Sequence, residues 1–240
     1  MTLLVLLFLP LLVGLGLWQL FRAEEKRTLL LNYQQLQLQP TVNLDVLLSE
    51  EQWTDYLPVY LHGQFDGERY WLLDNRPRNG FTGYEIVAPF VTDDYIVLVN
   101  IGWVRSSPER SRLPVIDLPT GLTRVTGHLY TPQRNALIST GESDLPMSWP
   151  KRVLQLDWAT VRQDLDLSNS EKKLVTKTVR IDSEDTAALV TDWSPVNINP
   201  TKHTAYAFQW FAMTLALIIL YGWYLYSEVK ASKKEQDENQ

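Results

Sequence analysis

Asn199-Pro200-Thr201-Lys202-His203-Thr204-Ala205-Tyr206-Ala207-Phe208-Gln209-Trp210-Phe211 opens a long apolar run rich in Trp and Tyr. From Ala205 to Tyr226, 22 residues carry no Asp, Glu, Lys or Arg. At about 1.5 Å per residue this is roughly 33 Å of helix, enough to cross a hydrocarbon core of about 30 Å. Asn199 suits an N-cap and Pro200 the first helical position. His203 then falls in the first turn. There the positive end of the helix dipole favours a neutral imidazole, the form that binds metal. Tyr206, Ala207 and Trp210, three, four and seven residues on, share its face. Ala207 leaves room for something flat, on which Tyr206 and Trp210 could stack. The plainer reading is an interfacial histidine in an aromatic belt.

A second apolar stretch lies at the other end. Met1–Phe21 has no charged side chain and is rich in Leu. It lacks a basic leading segment and a small-x-small cleavage site, so it reads as an uncleaved anchor. Trp18 and Arg22 suit its interfacial end, with Arg22 snorkelling or pairing with an anion near His203. Charge orients the pair weakly. Lys230, Lys233 and Lys234 favour a cytoplasmic C-terminus, while Arg22, Lys26 and Arg27 flank the opposite end of the first span.

Between the spans, residues 23–202 hold 18 Lys and Arg against 24 Asp and Glu, so no basic nucleic-acid footprint is present. The chain has no cysteine, which excludes disulfides, thiolate nucleophiles and Cys-ligated zinc or iron–sulfur centres. Ala23–Gln39 continues the first helix, and Asn43–Tyr56 reads as a short helix with Asn43 or Ser49 as cap. From Leu57 the period shortens. Val59–Phe65 and Tyr70–Asp74 read as a hairpin about Asp66-Gly67, followed by a polar loop over 75–83.

Tyr84–Phe90 and Tyr95–Val104 read as strands joined around Asp93-Asp94. Further strands are expected at Leu122–Tyr130, Arg152–Leu156 and Leu174–Ile181. Short helices are expected at Asp157–Leu165 and Ser183–Val190, and irregular chain over 106–120 and 131–150. His62 and His128 read as surface or edge-strand residues. Ser227–Gln240 reads as a disordered polar tail.

The expected fold is an α+β membrane protein. Two transmembrane helices, 1–22 and 203–226, flank a mainly antiparallel β domain, 23–202, open to curling into a barrel, with a polar tail at 227–240. No Gly-x-Ser-x-Gly, Walker loop or His-Glu-x-x-His occurs, so no enzyme is indicated.

Four segments, in order, resemble the surfeit locus protein 1 family of cytochrome c oxidase assembly factors. They are Gly16-Leu17-Trp18-Gln19-Leu20-Phe21-Arg22; Asn75-Arg76 with Gly80, Gly83-Tyr84 and Pro89; Val99-Asn100-Ile101-Gly102-Trp103-Val104; and His203 with Tyr206-Ala207, Gln209, Trp210 and Phe211. Ile101 stands where the family usually has Arg. Lys202 and Thr204 stand where Asn and Leu are usual.

The resemblance implies a bacterial inner-membrane protein with both termini cytoplasmic and the large domain periplasmic. It implies delivery of haem a to cytochrome c oxidase subunit I, with haem a synthase and membrane lipid as further partners. His203 matches the histidine associated with haem iron. On a haem held there, Tyr206 and Trp210 would contact the macrocycle and Arg22 could meet a propionate. The alternative is a scaffold for nascent oxidase subunits that carries no haem, with Arg76, Tyr84 and Trp103 as contacts.

Overall fold

The computed structural model describes residues 2–50, 54–132, 148–194 and 199–238. The chain divides into two compact units: residues 1–34 with 194–240, and residues 35–193.

The first unit is a pair of helices, α1 (Thr2–Gln37) and α4 (Pro200–Glu238). Both are long and apolar enough to cross a membrane. α1 runs through Pro10, which spanning helices tolerate when neighbouring groups satisfy the freed backbone. Its buried and half-buried positions include Val5, Leu9, Leu12, Gly16, Gln19 and Ala23. Those of α4 include His203, Ala207, Trp210, Thr214, Leu217 and Tyr221. Spacings of three and four dominate, the period of a helix–helix seam. The pairing is antiparallel. Thr2 at the start of α1 meets Tyr221, their hydroxyls 3.2 Å apart, whereas Gln19 meets His203.

Gly16 is the close approach in this seam. A Cβ there would lie 2.7 Å from the Phe211 ring, as small residues permit between membrane helices. Residues 227–238, expected as a disordered tail, continue α4. Ala, Lys, Glu and Gln are good helix formers, and an existing helix extends without a new nucleation cost.

The second unit is a closed barrel. Its strands are β2 (Pro58–Phe65), β4 (Gly83–Val91), β5 (Tyr95–Arg105), β6 (Thr123–Tyr130) and β8 (Lys173–Ile181). They close in the order β2-β6-β8-β5-β4 and back to β2 through Gln64↔Val91 and Phe65↔Phe90. All pairs are antiparallel except β5–β8. Three short strands extend the sheet: β1 (Val42–Asn43) beside β2, and β3 (Trp71–Leu73) and β7 (Lys151–Val153) beyond β4. The architecture is α+β, with apolar helices at both ends of the sequence and a barrel between them.

Several sequence expectations hold. The Asp93-Asp94 hairpin joins β4 to β5. Asn43 Oδ1 accepts from Asp45 N–H at 3.1 Å and starts α2 (Leu44–Glu50). Asp157 accepts from Thr160 N–H at 3.1 Å and caps α3 (Trp158–Asp164).

Others need correction. β2 and β3 are not a hairpin: β2 pairs with β6 and β4, and β3 with β4 and β7. Leu61 and Phe65 of β2 fill the barrel interior. Trp71 and Leu73 of β3 join a separate cluster with Val87, Leu98 and Val161 of α3. Ser183–Val190 forms turns instead of a helix. Asp185 accepts from Thr126 N–H and Ala187 N–H, while Leu189 N–H donates to Ile101 and the Val190 carbonyl accepts from Trp103 N–H. Those backbone groups are spent on the barrel and cannot serve a helix.

His128 is buried, 3.7 Å from the Asp182 carboxylate, while His62 is exposed. Much of the irregular stretch expected at 131–150 lies outside the described residues.

The Val99–Val104 strand explains its own motif. The β4–β5 register shifts between Ile86 and Val87, where Ile101 is the extra residue. Gly102 follows at φ +119°, and Asn100 Oδ1 accepts its N–H at 3.2 Å. A side chain at Gly102 would be strained, and its Cβ would lie 2.9 Å from the Val190 carbonyl. Ile101 is 1% exposed and packs in the barrel core.

Tyr95 couples this core to pH. Its hydroxyl donates to Asp45 Oδ1 at 2.6 Å. Burial, with Asp45 beside it, pushes the phenol well above its usual range. The folded protein therefore keeps this proton where the unfolded chain, with a phenol pKa of about 10, has released it. Stability from Tyr95 is full below about pH 10 and falls above it, by up to about 1.4 kcal/mol per pH unit. Urea midpoints measured from pH 9 upward should fall for the wild type. Tyr95→Phe should show a shallower fall from a lower starting stability; an unchanged slope would refute the linkage.

Candidate functional site

Asn199 caps α4, its Oδ1 accepting from Thr201 N–H at 3.0 Å and from the Thr201 hydroxyl at 2.9 Å. Pro200 begins the helix, and the first turn carries His203 into the seam with α1. Nδ1 of His203 lies 2.8 Å from Gln19 Oε1. Its Nε2 is buried and has no hydrogen-bond partner. An unpaired buried polar atom costs about 1–3 kcal/mol, so it marks a site where a partner would be gained.

The other sequence-chosen residues divide. Ala207 is 2% exposed, packed in the seam. Trp210 is half-buried there, and Tyr206 is 52% exposed. Arg22 is turned to Glu25, with Nη1 2.6 Å from Oε2. An anion meeting Arg22 would therefore compete with Glu25, in an exposed pair worth at most about 1 kcal/mol.

Gln19 carries no role assigned from the sequence. The available signal was an amide side chain within an otherwise apolar span, where polar groups seek partners across helices for about 0.6–2 kcal/mol.

In the barrel unit, Arg76 and Trp103 hold the 75–83 loop. Trp103 Nε1–H donates to the Arg76 carbonyl at 2.7 Å, and the Arg76 guanidinium reaches the carbonyls of Asp74 and Leu154. Tyr84 is 0% exposed, its hydroxyl unpartnered in the core, and it presents no surface as the barrel stands. Beside this loop runs an open groove of about 1080 Å³ lined by Phe81, Arg105, Arg110 and Arg112 among others. Arg105 stacks over Phe81 at 3.7 Å, and Arg110 lies 3.4 Å from Asp74.

Among the described residues, no three His, Asp or Glu side chains gather to hold a bare metal ion. One engaged imidazole with a free nitrogen can supply a single ligand. That suits an iron whose other positions are filled by a macrocycle.

These features define a protein with a pair of helices long and apolar enough to cross a membrane and a five-stranded barrel domain. The model of the SURF1 family matches residues 6–215, and the chain belongs to that family, which implies a part in cytochrome c oxidase assembly in general terms. Similar proteins include the SURF1-like protein of Rickettsia felis, 26% identical over 229 residues, covering 92% of this chain and 94% of the relative. The SURF1-like protein of Rickettsia bellii is 28% identical over 230 residues, covering 92% and 88%. That of Rickettsia conorii is 26% identical over 234 residues, covering 91% and 88%.

Proposed function

We propose that this protein holds haem a at His203 and helps deliver it to subunit I of cytochrome c oxidase. The observation that carries the reading is the buried, unpartnered Nε2 of His203, at the head of an apolar helix and with Nδ1 already engaged. Haem a, when bound, would supply an iron that takes an axial nitrogen and a long apolar tail that lipid can hold. His203 offers that nitrogen once the groups covering Nε2 move aside. Trp210 and Tyr206 offer ring faces to a macrocycle, and Arg22 can exchange Glu25 for a propionate. With His203 as its one protein ligand, the group would be held weakly enough to pass to a client that offers more contacts. In this reading the barrel is periplasmic, both termini are cytoplasmic, haem a synthase is the donor, and the protein performs no catalysis.

A second reading is a haem-free scaffold. The groove beside the 75–83 loop favours it, since Arg105, Arg110 and Arg112 suit an acidic segment of an oxidase subunit.

One purification separates the two. Full-length protein is isolated in mild detergent from cells that make haem a and from cells that cannot. The haem reading expects a haem a spectrum in the first preparation only. Subunit I without any haem would favour the scaffold, and neither would defeat both.

A further inference from the structure

We infer that Gln19 is a positioning residue that sets the tautomer of His203 and makes Nε2 its ligating atom. The inference rests on the haem reading only for the identity of the ligand; the tautomer stands on geometry. Gln19 Oε1 faces Nδ1 at 2.8 Å. A carbonyl oxygen accepts, so the hydrogen sits on Nδ1 and the lone pair on Nε2. The opposite tautomer would need the Gln19 amide turned about, so that its NH2 donates to Nδ1 in place of the oxygen accepting. It would also leave Nε2–H buried with no acceptor.

Metal-ligating histidines are held in this way, by a hydrogen bond from the other ring nitrogen that fixes tautomer and ring orientation. Here the two side chains come from different helices. Gly16, Ala23 and Ala207, all buried, keep the backbones near one another around the pair. Histidine in water prefers the hydrogen on Nε2, so without Gln19 the ring would offer the wrong atom.

The test uses full-length protein in detergent, labelled with ¹⁵N-histidine and prepared from cells lacking haem a, at a pH of about 8, above the usual range of histidine side chains in general. Proton–nitrogen correlation spectra report which ring nitrogen carries the hydrogen. The His203 signals are assigned by their loss in His203→Ala. The wild type should show hydrogen on Nδ1. Gln19→Leu should move it to Nε2 or give a mixture, and Gln19→Glu, which keeps an acceptor oxygen, should restore it. Hydrogen on Nε2 in the wild type would overturn the inference, as would a Gln19→Leu spectrum like the wild type. If Gln19→Leu does not fold, the wild-type and Gln19→Glu spectra alone decide: hydrogen on Nδ1 in both supports the inference, and any other result overturns it.

Iron protoporphyrin is then titrated into the same samples. Loss of the outer hydrogen bond should weaken binding about 10–100-fold in Gln19→Leu, with recovery in Gln19→Glu. Binding that ignores His203→Ala sinks the haem reading and leaves the tautomer result as measured.

Discussion

His203→Ala is expected to lower haem a recovered with the purified protein by about a hundredfold or more. The basis is that outer-shell changes at metal sites already cost about 10–100-fold, and this change removes the proposed ligand itself. The expected loss is local. The seam around His203 retains Gly16 against Phe211 and the buried Ala23, Ala207 and Thr214, so the helix pair persists. The barrel forms its own compact unit, with separate apolar clusters. Its near-ultraviolet dichroism should therefore match the wild type. Arg22→Ala should cost far less, because its guanidinium is half exposed and already shared with Glu25. Haem content in His203→Ala equal to the wild type, in a folded sample, would remove this histidine from the mechanism.

Trp71→Ala is expected to destabilise the barrel unit by about 3–5 kcal/mol. Trp71 is buried on β3, meets Trp149 edge to face at 5.0 Å, and packs with Leu73, Val87, Leu98 and Val161. Its Nε1–H donates to Asp164 Oδ2 at 3.1 Å, so truncation leaves a cavity and takes a donor from a carboxylate. Domains are stable by only about 5–15 kcal/mol, so a shift of this size is a large share. Denaturant unfolding of the full chain in detergent, followed by near-ultraviolet dichroism, measures it. A loss under about 1 kcal/mol would show that this cluster does not support the barrel.

The sequence legible by itself was the part governed by neighbours along the chain. The two apolar spans show in composition, because every face of a lipid-crossing helix is apolar. Asn199, Asn43 and Asp157 act as caps within two or three residues of their own position. The Asp93-Asp94 turn joins adjacent strands, and the β-rich character of the middle follows from its strand-length apolar runs.

What depended on distant partners was not legible. Barrel closure pairs β5 in parallel with β8 and sends β2 to β6 and β4, at the expense of the nearest strand, β3. Strands β4 and β5 are buried on both faces, which erases the alternation that would tell inside from outside. Tyr84 shows the cost: read as a surface contact, it fills the core. The same holds at the candidate site. Composition and the helix start single out His203, but Gln19 lies 184 residues away. Only the antiparallel seam brings the two together, because a hydrogen bond of 2.8 Å needs both backbones held in register. The sequence alone therefore determined that a histidine stands at the head of an apolar helix. Tertiary structure decided which of its nitrogens is engaged and which is free.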